Sequence, residues 1–134
     1  MTSPRGTVRR HVHIARTADD VWEAIGDPAR VHEWFIGIES CTVDGTTRVI
    51  TTRSGIPIPE EIVTHDQIQR RFQYRITGGI VQEHLSTLDV IDLEDGTCVA
   101  IYSADAIPAT MALVIAGAAG NALEQLRITL EGPH

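Results

Sequence analysis

The feature that most constrains this chain is its last long stretch, ATMALVIAGAAGNALEQLRITLE, at 109–131. With about 3.6 residues per turn, Met111, Ile115, Ala119, Ala122, Leu126 and Leu130 share one face, while Asn121, Glu124, Gln125 and Glu131 gather opposite. The spacing predicts one amphipathic helix of roughly 33 Å at about 1.5 Å per residue, long enough to cover a sheet. Its first half is apolar nearly all round, because Leu113 and Val114 occupy the side that Glu124 and Gln125 take later. That outer apolar side raises the expectation of a contact beyond the sheet, a homodimer among the candidates. Gly117, Ala118, Ala119 and Gly120 are small although glycine costs about 1 kcal/mol relative to alanine inside a helix. Such a run means either close backbone packing or deliberate empty space. A membrane span needs roughly 20 apolar residues, and only about 12 run from Ala109 to Gly120 before polar Asn121, with Pro108 ahead of them, so membrane insertion is not expected.

A chain of 134 residues is long enough for one self-sufficient core, and the expectation is a single domain over 1–134. The formal charge of -7 argues against nucleic acid and anionic lipid as partners, since both require clustered Lys and Arg. MTSPRGTVRR carries no apolar run of the secretory kind, and Cys41 and Cys98 are far apart without CxxC spacing. Two buried free thiols in a reducing, cytoplasmic setting is the expectation.

Upstream, alternation at 8–14 predicts a first strand with His11 and His13 on one face. No third ligand lies near that HxH pair, so it reads as a solvated face, and no metal is expected. Thr17 before Ala18-Asp19-Asp20 caps a short helix with Val21, Trp22 and Ile25 as its apolar stripe. Asp27-Pro28 opens a second short helix that runs to Trp34. From 36 to 105 the period is two. Strands are expected at 38–43 and 46–53 around Asp44-Gly45, at 60–65, at 67–77, and at 84–93 and 97–106 around Glu94-Asp95-Gly96. Ile56-Pro57-Ile58-Pro59 is expected on an edge or in a loop, because proline lacks the ladder donor. The order is one strand, two short helices, six strands and a long helix. It predicts an α+β fold: a curved antiparallel sheet of about seven strands wrapped around the C-terminal helix.

The ordered set Ala18, Val21-Trp22, Ile25, Asp27 and Trp34, then Glu61, Val63, Asp66, Phe72 and Tyr74-Arg75-Ile76, then Asp95-Gly96-Thr97 and Val99, then Ala122-Leu123 and Leu126 carries a family resemblance. It resembles the polyketide cyclase/dehydrase branch of the START/Bet v1-like (SRPBCC) superfamily, from about Thr7 to Glu131. The resemblance implies a helix-grip fold with a mostly apolar cavity between sheet and helix. It also implies a lipid-, polyketide- or sterol-like ligand, or a cofactor-free cyclase or dehydratase reaction in the same space. The chain departs from the family's usual pattern after Asp44, where a proline-bearing segment, 54–59, stands in place of a Gly-Val-Gly stretch.

With such a cavity, the expected ligand-binding lining is Trp34, Val63, Phe72, Tyr74, Ile76, His84, Val99, Ile101, Met111, Ile115 and Ala119, apolar walls with few polar points. The alternative is that the same side chains fill a dry core. His84 heads an inward row with Ser86, Leu88 and Val90, so its imidazole and the Tyr74 hydroxyl are the candidate catalytic groups. Glu61 and His65 stand about 13 Å apart along a strand, too far for a direct pair. Asp105 is read as a cap for the helix start. No nucleophile elbow, phosphate-binding glycine loop, HExxH or CxxC occurs, so no cofactor is expected.

Overall fold

Alternation from 38 to 107 builds a meander, and the chain's first strand closes it. The computed structural model describes residues 4–132, so residues 1–3 and 133–134 of the expected domain lie outside the described part. β1 (Gly6–Ile14) leads to α1 (Ala18–Ile25), a 3-10 turn (Pro28–Arg30) and α2 (Val31–Trp34). β2 (Ile38–Asp44), β3 (Thr47–Thr52), β4 (Pro57–Asp66), β5 (Arg71–Ile76), β6 (Glu83–Asp92) and β7 (Cys98–Ile107) follow, and α3 (Ala109–Glu131) ends the series. The seven strands form one curved antiparallel sheet in the order β1-β7-β6-β5-β4-β3-β2, with short helices between β1 and β2 and α3 gripped by the sheet. This is the α+β helix-grip architecture expected from the element order.

The local signals behave as their chemistry requires. Thr17 Oγ1 accepts from the Asp20 amide at 3.1 Å and starts α1, and Asp27 Oδ1 accepts from the Ala29 amide at 2.9 Å ahead of the 3-10 turn. Asp105 caps nothing at α3; it lies 3.5 Å from the Arg5 guanidinium instead.

Two expectations about faces are corrected. The stripe of α3 that meets the sheet keeps Ala119, Ala122 and Leu126 of the expected row but has Ala112, Ala116 and Leu123 as its other buried members, with Ile115 and Leu130 only partly buried. The reason is on the other side of the contact. α3 packs chiefly on β1 and β7, and β7 presents Ala100, Ala104 and Ala106, each at 0% exposure. Methyl against methyl brings the helix backbone close. A Cβ at Gly6 would lie 2.7 Å from the Ala109 carbonyl oxygen, and one at Gly120 would lie 3.1 Å from Arg10 Cγ. Within the small run, Ala119 and Gly120 serve close packing, whereas a Cβ at Gly117 would meet nothing within 4 Å and Ala118 borders the open space flanked by Met111 and Ile115.

The second correction concerns the prolines, which lie in a strand and not a loop, on the stretch of β4 that forms a ladder with β3 alone because β5 joins only from Glu60 onward. Pro57 and Pro59 are strand residues of β4, paired with Thr51 and Val49. The Thr52 amide donates to Ile56 O and the Ile62 amide to Thr46 O. That alternation gives the hydrogen-bonded positions to Ile58 and Glu60, and the prolines fall where β4 needs no donor toward β3.

Candidate functional site

Because α3 covers β1 and β7, the other half of the concave sheet is left partly open. There a cavity of about 310 Å³ lies between β3, β4 and β5 on one side and the flank of α3 on the other. Ile50, Ile58, Tyr74 and Ile76 form its floor, with Met111, Val114, Ile115 and Ala118 along the helix and Val31, Phe35 and Ile38 at one end. Ile36, Ile80 and Val114 are each more than half exposed, so they form the rim. A void of about 10 Å³, on the order of one water probe, continues inward among Ile25, Trp34, Phe72, Leu88 and Tyr102. It shares Val31, Phe35, Arg48 and Tyr74 with the larger space.

The expected lining divides accordingly. Tyr74, Ile76, Met111 and Ile115 border the main cavity, and Trp34, Phe72 and Tyr74 border the inner void. Ala119 is consumed by the helix contact with the sheet. Val99 and Ile101 lie on the outer face of β7, where alternation turns Cys98, Ala100, Tyr102 and Ala104 inward. Val63 is 41% exposed. Glu60 and Ile62 face inward opposite Ile76 and Tyr74, so alternation puts Val63 outside, and the register slip between Ile62 and Thr64 then brings His65 to the side of Phe72.

His84 is buried but is not part of the cavity wall. The β5–β6 ladder ends at Tyr74 and Ser86, and the Ile76 amide donates to His84 Nδ1 at 2.8 Å in place of a strand carbonyl. Since Nδ1 accepts, Nε2 carries the proton and donates to Ser86 Oγ at 2.7 Å. Burial pushes the imidazole pKa down to about 4, with Asp105 opposing. The ring is a neutral structural bridge. Ser86 in turn hydrogen-bonds the phenols of Tyr74 and Tyr102, whose hydroxyls pair with each other. Burial pushes Tyr74 up to about 12 and Tyr102 well above its ordinary value, so both are uncharged donors and acceptors at neutral pH.

The charged groups of the cavity were not among the expected residues. Arg48 on β3 and Glu60 on β4 are cross-strand partners, with Nε to Oε1 at 2.7 Å and side-chain exposures of 2% and 2%. Arg48 Nη1 donates to Pro28 O at 3.1 Å, and its guanidinium carbon lies 4.7 Å from the Tyr74 ring centroid and 5.2 Å from that of Phe72. Burial raises the Glu60 pKa, and Arg48 opposes that rise. Both side chains border the cavity. A sequence signal for them existed. The turn centred on Ser54 places residues 48 and 60 opposite each other, and a buried row that carries Arg on one strand and Glu on its neighbour is a pair.

The architecture defines a protein with a partly open, apolar cavity between its sheet and its long helix. The chain belongs to the family described as polyketide cyclase / dehydrase and lipid transport, which it matches over residues 5–131, within the START/Bet v1-like superfamily. None of the curated proteins compared with it matches. Among solved structures, it is similar to an uncharacterized protein from Bacillus thuringiensis, with a TM-score of 0.83 and 21% identity over 91% of this chain and 96% of that one. Norcoclaurine synthase from Thalictrum flavum, in complex with dopamine and hydroxybenzaldehyde, aligns with a TM-score of 0.72 and 17% identity over 99% and 91%. A START superfamily protein from Mycobacterium smegmatis aligns with a TM-score of 0.68 and 12% identity over 90% of each chain. At these identities the likeness is one of fold. Among the described residues, no helix is long and apolar enough to cross a membrane.

Proposed function

We propose that the chain binds a small hydrophobic or aromatic molecule in the chamber between the sheet and α3. The observation that carries this reading is the 310 Å³ space itself, floored by Ile50, Ile58 and Ile76 and roofed by Met111 and Ile115. Its size and apolar walls are those of a small-molecule site. The free thiols Cys41 and Cys98 support a reducing, cytoplasmic place of action. Titration with a neutral dye such as aminoanthracene tests the reading. Saturable one-to-one binding, weakened at least tenfold in an Ala118→Trp variant whose circular dichroism is unchanged, is the expected result. Absence of saturable binding by the native chain overturns it.

A second reading, a cofactor-free cyclase or dehydratase, is favoured by one observation: Glu60, with its pKa raised by burial, stands in the cavity wall beside Tyr74. A carboxylate whose hold on a proton is strengthened by burial can take a proton from a bound molecule and return it. In this reading Glu60 takes the acid/base role expected of His84, which does not border the chamber, and Tyr74 positions the ligand. Turnover of a polyketide-type substrate that is lost in Glu60→Gln with ligand affinity retained would support it; turnover unchanged in that variant removes it. The self-association expected from Leu113 and Val114 has a narrower basis: both are exposed, at 58% and 63%, but Val114 already serves the rim. A monomeric mass by light scattering at high concentration rejects it.

A further inference from the structure

The polar atoms in the cavity wall restrict what an occupant can be; this inference rests on the binding role proposed above. Arg48 uses Nε on Glu60 Oε1 and Nη1 on Pro28 O, which leaves Nη2 without a hydrogen bond. Glu60 accepts one bond, on Oε1, and its Oε2 has none. Neither atom is sealed away. Among the described residues, the buried side-chain polar atom that lacks a partner is Trp34 Nε1. The Arg48 and Glu60 side chains are each only 2% exposed and both border the cavity, so their uncommitted atoms are reached from that space. The pair lies away from the rim, held by the Tyr74 and Phe72 rings on the guanidinium and by the ladder between β3 and β4.

An Arg48 nitrogen with unused N–H groups and an unused Glu60 oxygen therefore belong to neighbouring, ion-paired side chains in a mostly apolar chamber. We infer that the chamber selects a neutral, hydroxyl-bearing apolar molecule, a phenol or an alcohol, whose oxygen accepts from Arg48 Nη2 and whose proton is donated to Glu60 Oε2. A hydrocarbon of the same shape leaves both atoms unpaired when it displaces water, and unpaired buried groups are what sites of this kind discriminate against. An anion gains little, because Glu60 already balances Arg48 and a further buried charge would lack a partner of its own. An ammonium meets Arg48 with the mirror-image penalty.

The test is displacement of aminoanthracene from the full chain at neutral pH by a matched series: para-butylphenol, butylbenzene, para-butylbenzoate and para-butylbenzylamine. The phenol is expected to bind about tenfold more tightly than butylbenzene, from one hydrogen bond to each charged group, and both ions more weakly than the phenol. Equal affinity for phenol and hydrocarbon, or an ion that outcompetes the phenol, overturns the inference and leaves the binding role standing. Failure of all four to displace a bound dye overturns the inference as well, and failure of the dye itself to bind removes the binding role beneath it. In the double variant Arg48→Met with Glu60→Leu, the phenol preference is expected to vanish while butylbenzene still binds. A preference that persists there overturns the assignment to these two residues. The native-chain series decides the question without reference to the variant's folding.

Discussion

His84 shows how a residue type associated with catalysis can be committed to structure. Its Nδ1 takes the Ile76 amide and its Nε2 proton goes to Ser86, so protonation of Nδ1 would break the first bond and bury a charge. The folded pKa of about 4 lies below the usual imidazole value, so the unfolded chain binds the extra proton first. The stability this provides is fully present above about pH 6.5 and is lost as pH falls toward 4, a change of ~2–3 kcal/mol. Denaturant titrations from pH 7.5 to 4 should show that loss, with a flatter profile in a His84→Asn variant, and an unchanged profile would remove the assignment. Arg48 provides a second test. Arg48→Met leaves the Glu60 carboxylate buried without its partner and is expected to lower stability by about 3–5 kcal/mol, whereas Arg48→Met with Glu60→Leu is expected to recover most of it. Chemical denaturation of the two variants measures the difference. Burial also raises the Cys98 thiol pKa, so iodoacetamide under native conditions should label the half-buried Cys41 and spare Cys98, as read by peptide mass.

At the scale of elements, α3 and β7 meet through alanine methyls, and substitutions there are expected to act through distance. Ala116→Leu inserts three heavy atoms between α3 and the sheet at a position with 0% exposure, and an overpacking penalty of about 1–3 kcal/mol is expected in thermal melts. The same contact explains what the sequence does and does not reveal. Most strand and helix positions follow from period and turn chemistry, which is why the meander, the short helices and α3 were readable, although 67–70, expected in a strand, form the turn before β5 and β4 starts earlier, at Pro57. The inward face of β7 was not. Cys98, Ala100, Tyr102, Ala104 and Ala106 alternate with Val99, Ile101, Ser103, Asp105 and Ile107, and the larger apolar residues are the ones that face away. Hydrophobic size marks a core face only when nothing demands close approach. Likewise, the β4 bulge that brings His65 opposite Phe72 leaves no mark in the sequence pattern, since one extra residue inverts every later assignment.

For the whole molecule, occupancy of the chamber should be visible without any knowledge of the natural ligand. A compound that binds only the folded chain stabilises it by about 2.7 kcal/mol when present at a hundredfold excess over its Kd. Para-butylphenol is accordingly expected to raise the melting temperature of the native chain and to leave the Ala118→Trp variant nearly unmoved in scanning calorimetry. The halves of the concave sheet have separate duties: β1 and β7 anchor the helix, while β3, β4 and β5 face the empty space. The side chains that line the cavity are thus largely different from those that hold α3 to the sheet. Ligand preference could drift through changes at Ile36, Ile58, Ile80, Met111 or Val114 while the melting point stayed put, a separability that lets one scaffold acquire new guests without first being rebuilt.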